Sequence, residues 1–123
     1  MLKSNEVRIG NDVLYMDTDT PEFVPIKIDK ADIMLLCEAI QGYNYKGIPL
    51  TPELFEKNLG LVKVRGTSDE YKIGNLTFNL CLYEQGYKVN IYLGGEFLGY
   101  HTVFHTIQNL LYSLTGVELK VTW

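Results

Sequence analysis

The chain has 123 residues, of which 46% are hydrophobic, and its 11 basic and 15 acidic residues give a net charge of −4 at pH 7. These values predict one domain over residues 1–123 and exclude collagen, coiled coil and long disorder. Because no apolar run approaches the roughly 18 residues of a membrane span and basic residues are scattered, we expect a cytoplasmic protein with neither membrane nor nucleic-acid partners.

Residues 1–28 are predicted to form a small β portion. Apolar residues at 13–16 and 23–28 favour extended structure, with a turn-rich break at 17–21 between them. Pro25 lacks a backbone N–H, which marks the second stretch as an edge or irregular strand.

Residues 29–60 are predicted to form two short helices. Asp29 is an N-cap residue, and Asp32 stands in the position of a capping box, so the first helix is expected over about 30–41 with Gly42 as its stop.

The second of these helices has its own start signal. Thr51 is an N-cap residue, and Pro52 occupies the first helical position, where its missing N–H costs nothing. Gly60 ends this helix after little more than two turns, so packing must hold it in place.

Residues 61–123 are predicted to form a short strand at 61–64, an antiparallel meander over 72–102, a helix and a final strand. A two-residue turn at Gln85-Gly86 gives apolar pairs on one face of the first hairpin: Leu82 with Val89, Leu80 with Ile91, Phe78 with Leu93. A second turn at Gly94-Gly95 predicts three further pairs: Leu93 with Glu96, Ile91 with Leu98, Val89 with Tyr100.

The last helix is strongly amphipathic. Thr102 is its predicted cap, Gly116 closes it, and an apolar stripe is expected to cover the apolar face of the meander. Alternation over 117–123 predicts a last strand that holds the C-terminus. The fold class is therefore α+β.

Three segments of the chain stand out as a set: RIGNDVLY, GIPLTPELFEKNLG and FHTIQNLLYSLTGVEL. They resemble short uncharacterised proteins of gut Bacteroidetes and of their prophages and phages, in which a terminal HxLQNLYxxLTG-type helix is the most specific motif. The resemblance implies a phage or mobile-element context and an SH3-like N-terminal β portion. It implies no mechanism.

Catalytic signatures are missing from the chain, so we expect no enzyme, no cofactor and no metal. Cys37 and Cys81 lie 44 positions apart and form no CxxC motif; both are expected to be reduced. His101 and His105 have the i,i+4 spacing of a metal pair but no nearby carboxylate. The same two histidines, with Cys81, are the only candidates for an enzymatic site.

The first candidate binding surface is the outer face of the meander. The predicted register gives it three rows: Asn79 with Tyr92 and Phe97, Cys81 with Asn90 and Gly99, Tyr83 with Lys88 and His101. A row of small residues between aromatic rows would form a notch for a planar ligand or a partner's side chain. The alternatives are an ordinary cross-strand ring pair, or a face covered by the short helices. The candidate binding residues are Tyr83, Lys88, Asn90, Tyr92, Phe97 and His101.

The polar face of the last helix is the second candidate. It carries no formal charge, which is typical of a surface covered by another chain or by the N-terminal lobe, and hydrogen bonding to neighbouring loops is an equally good interpretation. Its residues are His105, Gln108, Asn109 and Tyr112.

The sequence therefore predicts a non-enzymatic protein that acts by binding to a host or phage protein and occupying its surface. A homodimer of the chain is a further option. The alternative is a protein that sequesters a small molecule such as a signalling nucleotide. A small enzyme of unrecognised type is the third hypothesis.

Overall fold

The computed structural model describes residues 7–16, 22–37, 45–64, 69–84, 86–116 and 118–123. They belong to two compact units, the first drawn from Met1–Ile48 and Val103–Glu118, the second from Pro49–Thr102 and Leu119–Trp123. The α+β class is confirmed, with two antiparallel sheets and a C-terminal helix.

The first unit contains three short strands, β1 (Asp12–Tyr15), β2 (Val24–Lys27) and β3 (Tyr45–Lys46), in the order β2-β1-β3. Pro25 pairs with Leu14 on the edge strand β2, as its missing donor predicts. β3 lies between the two predicted short helices, where no strand was predicted, because two residues are too few to give an alternating pattern. The predicted break at 17–21 lies outside the described residues.

A turn before β1 starts this sheet. Gly10 takes φ +97°, which L side chains rarely adopt, and Asn11 donates its backbone N–H to the Arg8 carbonyl at 3.0 Å. The Asn11 side chain accepts the Arg8 backbone N–H at 2.8 Å. Below the sheet, a buried apolar cluster fills the unit: Val7, Val13, Ile28, Tyr45.

Helix α1 (Lys30–Cys37) begins as the capping box predicts. Asp29 accepts the Asp32 backbone N–H at 2.9 Å, and Asp32 accepts that of Asp29 at 3.0 Å. The same Asp32 carboxylate accepts the Tyr45 hydroxyl at 2.8 Å, which ties the helix start to β3. The expected helix end at 38–41 and the stop at Gly42 lie outside the described residues.

Helix α2 (Phe104–Thr115) completes the first unit. Gly116 closes it in the left-handed conformation with φ +72°, as predicted. The prediction that Thr102 caps it was wrong: Val103 is the N-cap residue, in extended conformation and without a side-chain cap bond. The Phe104 N–H is instead taken up by the Ile48 carbonyl at 2.9 Å, so a neighbouring loop replaces the missing cap.

The second unit is built on a four-stranded meander, β4 (Glu70–Ile73), β5 (Leu76–Tyr83), β6 (Gly86–Leu93) and β7 (Glu96–His101). The predicted meander is confirmed, and its edge strand β4 begins at Glu70, before the predicted start at residue 72. The predicted strand at 61–64 is reduced to one bridge between Lys63 and Tyr71.

The apolar inner face of this sheet packs on a π-helical segment, Leu54–Asn58. Thr51 accepts the Leu54 N–H at 3.1 Å, which confirms its capping role. The Phe55 ring stacks on Tyr71 at 5.2 Å between centroids and contacts Phe78 at 6.0 Å, and all three are buried. The segment therefore lies on the inner face, and this second short helix leaves the outer face uncovered.

The predicted register of the first hairpin was wrong by two residues. Tyr83 pairs with Gly86, which gives Leu82 with Tyr87, Leu80 with Val89 and Phe78 with Ile91. The turn falls one residue earlier than expected because Glu84, and not Gly86, takes a left-handed φ of +51°. A shift of two preserves which side chains face the core, so the apolar face survives the error.

The second hairpin follows the prediction only near its turn. Leu93 pairs with Glu96 and Tyr92 with Phe97, but a bulge then inserts one residue, so Ile91 meets Gly99. Gly99 takes φ +130°, a conformation suited to glycine at such a bulge. Beyond the bulge His101, and not Tyr100, pairs with Val89.

The predicted last strand is not formed within residues 118–123. The terminus is instead held by Asn58, whose carbonyl accepts the Thr122 N–H at 2.8 Å and whose side chain donates to the Thr122 carbonyl at 2.7 Å. Polar bonds to a helix end thus replace a strand ladder.

Candidate functional site

The polar face of α2 is engaged within the first unit. Gln108 donates to the Asp12 carboxylate at 2.7 Å and accepts the Asp12 backbone N–H at 2.8 Å. The NH2 group and the oxygen of its side-chain amide are thus both bonded to the same residue. Both residues are buried, and Lys27 supplies the counter-charge to the Asp12 carboxylate at 3.1 Å. A buried carboxylate with these partners is a structural joint between α2 and β1.

Asn109 makes the second joint on this face. Its side-chain oxygen accepts Asn11 Nδ2 at 2.8 Å and Arg8 Nε at 3.0 Å. Arg8 also forms an ion pair with Glu118, and its guanidinium lies 4.2 Å from the centroid of the Tyr112 ring. One arginine thereby joins the helix and the residues after it to the N-terminal turn.

His105 is buried beside the backbone of Gly47. A Cβ at Gly47 would lie 2.9 Å from Val103 and 3.3 Å from the His105 ring, so only glycine allows this approach. Of the four residues proposed on this face, His105 and Gln108 are buried, Asn109 is hydrogen-bonded to the N-terminal segment and Tyr112 is stacked by Arg8. Gln108 and Asn109 are therefore hydrogen-bonded to the N-terminal segment of the same unit, whereas Tyr112 remains 42% exposed.

The outer face of the meander carries aromatic side chains that the fold leaves exposed. Phe97 is 54%, Tyr100 53% and Tyr83 38% exposed. Tyr92 pairs with Phe97 at 5.4 Å between ring centroids, and Tyr83 with Tyr100 at 6.2 Å, both tilted. These two ring pairs and the residues between them are called the ring face below.

A row of two amides ends at Tyr100, a member of one ring pair, and lies next to the row that holds the other pair. Asn79 pairs with Asn90, which pairs with Tyr100 across the next strand. Cys81 lies beside them: its thiol contacts Asn79 Oδ1 at 3.5 Å, and Asn90 Nδ2 contacts its sulfur at 3.7 Å. Sulfur is a weak hydrogen-bond partner, so these half-buried amides keep most of their hydrogen-bonding capacity.

The Lys88 ammonium lies beside one ring pair and is nearly equidistant from its two rings, whose centroids are 6.2 Å apart. Its ammonium is 5.2 Å from the Tyr83 centroid and 5.0 Å from the Tyr100 centroid. Both distances are within the range in which a cation is attracted to an aromatic face. The lysine is half-buried, so the two tyrosines hold a charged group in a defined place on the sheet.

Five of the six residues predicted to lie on this face do lie on it in the structure, and one does not. Tyr83, Lys88, Asn90, Tyr92 and Phe97 lie on the outer face, but His101 pairs with Val89 and therefore points to the inner face. Burial lowers the pKa of His101 below its usual value. Because Cys81 lies on the opposite face, the sheet does not assemble a Cys81–His101 pair.

Tyr100 is the residue of the ring face that the sequence interpretation missed. It was assigned to the inner face because strict alternation was assumed through β7. The signal that could have found it is Gly99, since a glycine inside a strand often marks a bulge, and a bulge moves every later side chain to the other face.

Comparison with models of protein families, with curated proteins and with solved structures finds no match for this chain. The residues that the structure describes include no helix long and apolar enough to cross a membrane. The same residues contain no cluster of three or more His, Cys, Asp and Glu side chains suited to a metal ion.

Proposed function

We propose that the chain is a non-enzymatic binding protein that occupies a partner protein through the ring face. The observation that carries the proposal is the grouping of exposed aromatic side chains, Tyr83, Phe97 and Tyr100, on one face of a four-stranded sheet. Tyrosine and phenylalanine offer a large contact area with few rotatable bonds, and aromatic residues are enriched at the cores of protein interfaces.

The shape of the ring face favours a protein over a small molecule. Small-molecule sites are concave and bury most of the ligand, whereas Phe97 and Tyr100 stand half exposed on a sheet. The resemblance to proteins of gut Bacteroidetes and their phages supports a cytoplasmic host or phage protein as the partner. The chain acts by occupying a surface of its partner, because binding at such a face needs no reacting group.

Affinity capture tests this proposal. The full-length chain, a Phe97→Ser–Tyr100→Ser variant and a Val62→Ser control are each immobilised and exposed to lysate of the organism that encodes the chain. Val62 is 83% exposed in the same unit but lies outside the sheet, so it is matched for loss of exposed apolar surface. We expect a stoichiometric partner protein on the wild type and the control, and its loss from the double variant.

Two outcomes would overturn the proposal: equal capture by the double variant, or no stoichiometric protein on the wild type. A second copy of the chain is a separate outcome, recognised by sedimentation as a dimer that the double variant abolishes.

Sequestration of a small molecule is the second candidate. It is supported by the amide row of Asn79 and Asn90, which lies beside the two ring pairs and whose side chains contact only sulfur among the described residues. Native mass spectrometry of protein purified from its host separates the two functions, because a bound small mass without a partner protein supports sequestration.

A further inference from the structure

Tyr83, Lys88 and Tyr100 together form a preorganised cation, which is called the lysine clamp below. The ammonium lies over the faces of two adjacent rings at nearly equal distances, 5.2 and 5.0 Å from their centroids. The rings limit the directions in which this flexible side chain can point. The Lys88 side chain is therefore partly ordered before a partner binds, and binding loses less side-chain entropy.

The lysine clamp has no anion of its own in the part of the chain that the structure describes. The ion pairs of the described lysines join Lys27 to Asp12, Lys57 to Glu53 and Lys63 to Asp69, and none reaches Lys88. The faces of aromatic rings attract a cation but do not accept the strong hydrogen bonds that an ammonium can donate. The clamp thus keeps donor capacity toward the solvent side of the sheet.

We propose that the lysine clamp binds the carboxylate of an acidic side chain in the partner protein. This inference rests on the proposed function and specifies the partner's chemistry. A carboxylate matches one ammonium in charge and accepts its N–H donors. A phosphate carries nearly two charges and is a poorer match, because the clamp offers a single cation on a chain whose net charge is −4.

The second ring pair adds a requirement beside the acid. Lys88 and Tyr92 lie four residues apart on β6, roughly 13 Å along the strand. The partner segment is therefore expected to present an acidic residue to the lysine clamp and an aromatic or aliphatic residue to Tyr92 and Phe97.

Selection from a random dodecapeptide display library tests the acidic preference without knowledge of the partner. The full-length wild type, Lys88→Met and Lys72→Met serve as baits. Lys72 pairs with Thr77 on the same face of the sheet, so its variant removes an equal charge outside the clamp. We expect Asp and Glu to be enriched in peptides selected by the wild type and by Lys72→Met, and to return to the library frequency with Lys88→Met.

One selected peptide is then synthesised in three forms, with Asp, with Asn and with phosphoserine at the enriched position. At low salt the Asp form is expected to bind the wild type about fivefold more tightly than the Asn form. The difference should vanish with Lys88→Met, and the phosphoserine form should bind no more tightly than the Asp form.

The outcomes separate the two proposals. Peptides selected without acidic enrichment, or an acidic preference retained by Lys88→Met, would overturn the lysine clamp and leave the binding function standing. If the phosphoserine form binds the wild type tenfold more tightly than the Asp form, the group that the clamp prefers is a phosphate and not a carboxylate. A library that yields no binders, or binders that Phe97→Ser–Tyr100→Ser retains, would overturn the binding function and the clamp together.

Discussion

The polar face of α2 and the ring face of the meander have similar compositions but differ in the hydrogen bonds that their amides make. Each combines asparagine or glutamine amides with tyrosine, and on both faces a basic side chain lies over a tyrosine ring. On α2, the amides of Gln108 and Asn109 form bonds of 2.7 to 3.0 Å with the N-terminal segment of the same unit. On the ring face, the side chains of Asn79 and Asn90 have, among the described residues, only sulfur contacts of 3.5 and 3.7 Å, and Tyr83 and Tyr100 are exposed.

This difference shows that an uncharged polar surface does not by itself indicate a binding site. Its hydrogen bonds have to be accounted for, because a surface whose groups are satisfied inside the chain contributes to folding. A surface with spare capacity and exposed rings is the better candidate for a partner. Substitutions should accordingly reduce stability on α2 and binding on the ring face.

The largest effect is expected at Gln108. Gln108→Met keeps a similar size but removes both amide bonds to Asp12, whose buried carboxylate then loses a donor at 2.7 Å. We expect the free energy of unfolding to fall by about 3 kcal/mol, measured by urea denaturation. Ser113→Ala, at an exposed position of the same helix, is the control and should change stability little.

A loss below about 1 kcal/mol in Gln108→Met would contradict the structural role of this pair, because a single ordinary intramolecular hydrogen bond already contributes about 1 kcal/mol. Retained partner capture by this variant would complete the contrast with the ring face.

A smaller effect on stability is expected for Phe97→Ser–Tyr100→Ser. Both side chains are about half exposed, so the variant loses cross-strand ring contacts and little buried core. We expect about 1 kcal/mol, from the same urea experiment. A loss of 3 kcal/mol or more would show that these rings are part of the folding core, and would remove the ring face as a surface set aside for binding.

Local sequence signals predicted the fold well where the responsible residues are neighbours. The capping box of Asp29 and Asp32, the Thr51 cap, the Gly116 stop and the alternation of β5 and β6 were all correct. Each depends on a spacing of a few residues. The hairpin register was wrong because a left-handed glutamate, Glu84, is rare enough that sequence statistics favour the neighbouring glycine.

The sequence predicted which residues belong to the candidate sites but not which groups surround them. Alternation along the strands predicted the residues of the ring face, and the errors at His101 and Tyr100 came from the bulge at Gly99. The role of α2 could not be found this way, since the partners of Gln108 and Asn109 lie 96 to 101 positions away, at Asp12, Asn11 and Arg8. No local pattern encodes such distant hydrogen bonds.

The lysine clamp should contribute only slightly to stability. A double-mutant cycle of Lys88→Met and Tyr100→Leu isolates the coupling between the ammonium and the ring, which we expect to be about 0.5 kcal/mol for this exposed arrangement. Tyr100→Phe keeps an aromatic face and should keep the coupling. A coupling of zero would mean that the tyrosine does not hold Lys88 in place, and the comparison with Arg8 on Tyr112 would then fail.

The smallest effect is expected at His101, whose side chain keeps part of its contact with solvent. Burial lowers the pKa of His101 in the folded protein, so between that lowered pKa and the ordinary value near 6.5 the unfolded chain binds more protons. The contribution of this group to the free energy of unfolding is then constant above about pH 6.5 and becomes unfavourable as the pH falls below it.

His101→Gln removes the titration, so its stability should decline less than that of the wild type between pH 7 and 5 in parallel urea experiments. Equal declines would mean that the ring is hydrated in the folded state, as it would be on the outer face of the sheet. The pH dependence therefore reports independently on the bulge at Gly99, which turns His101 inward and Tyr100 outward.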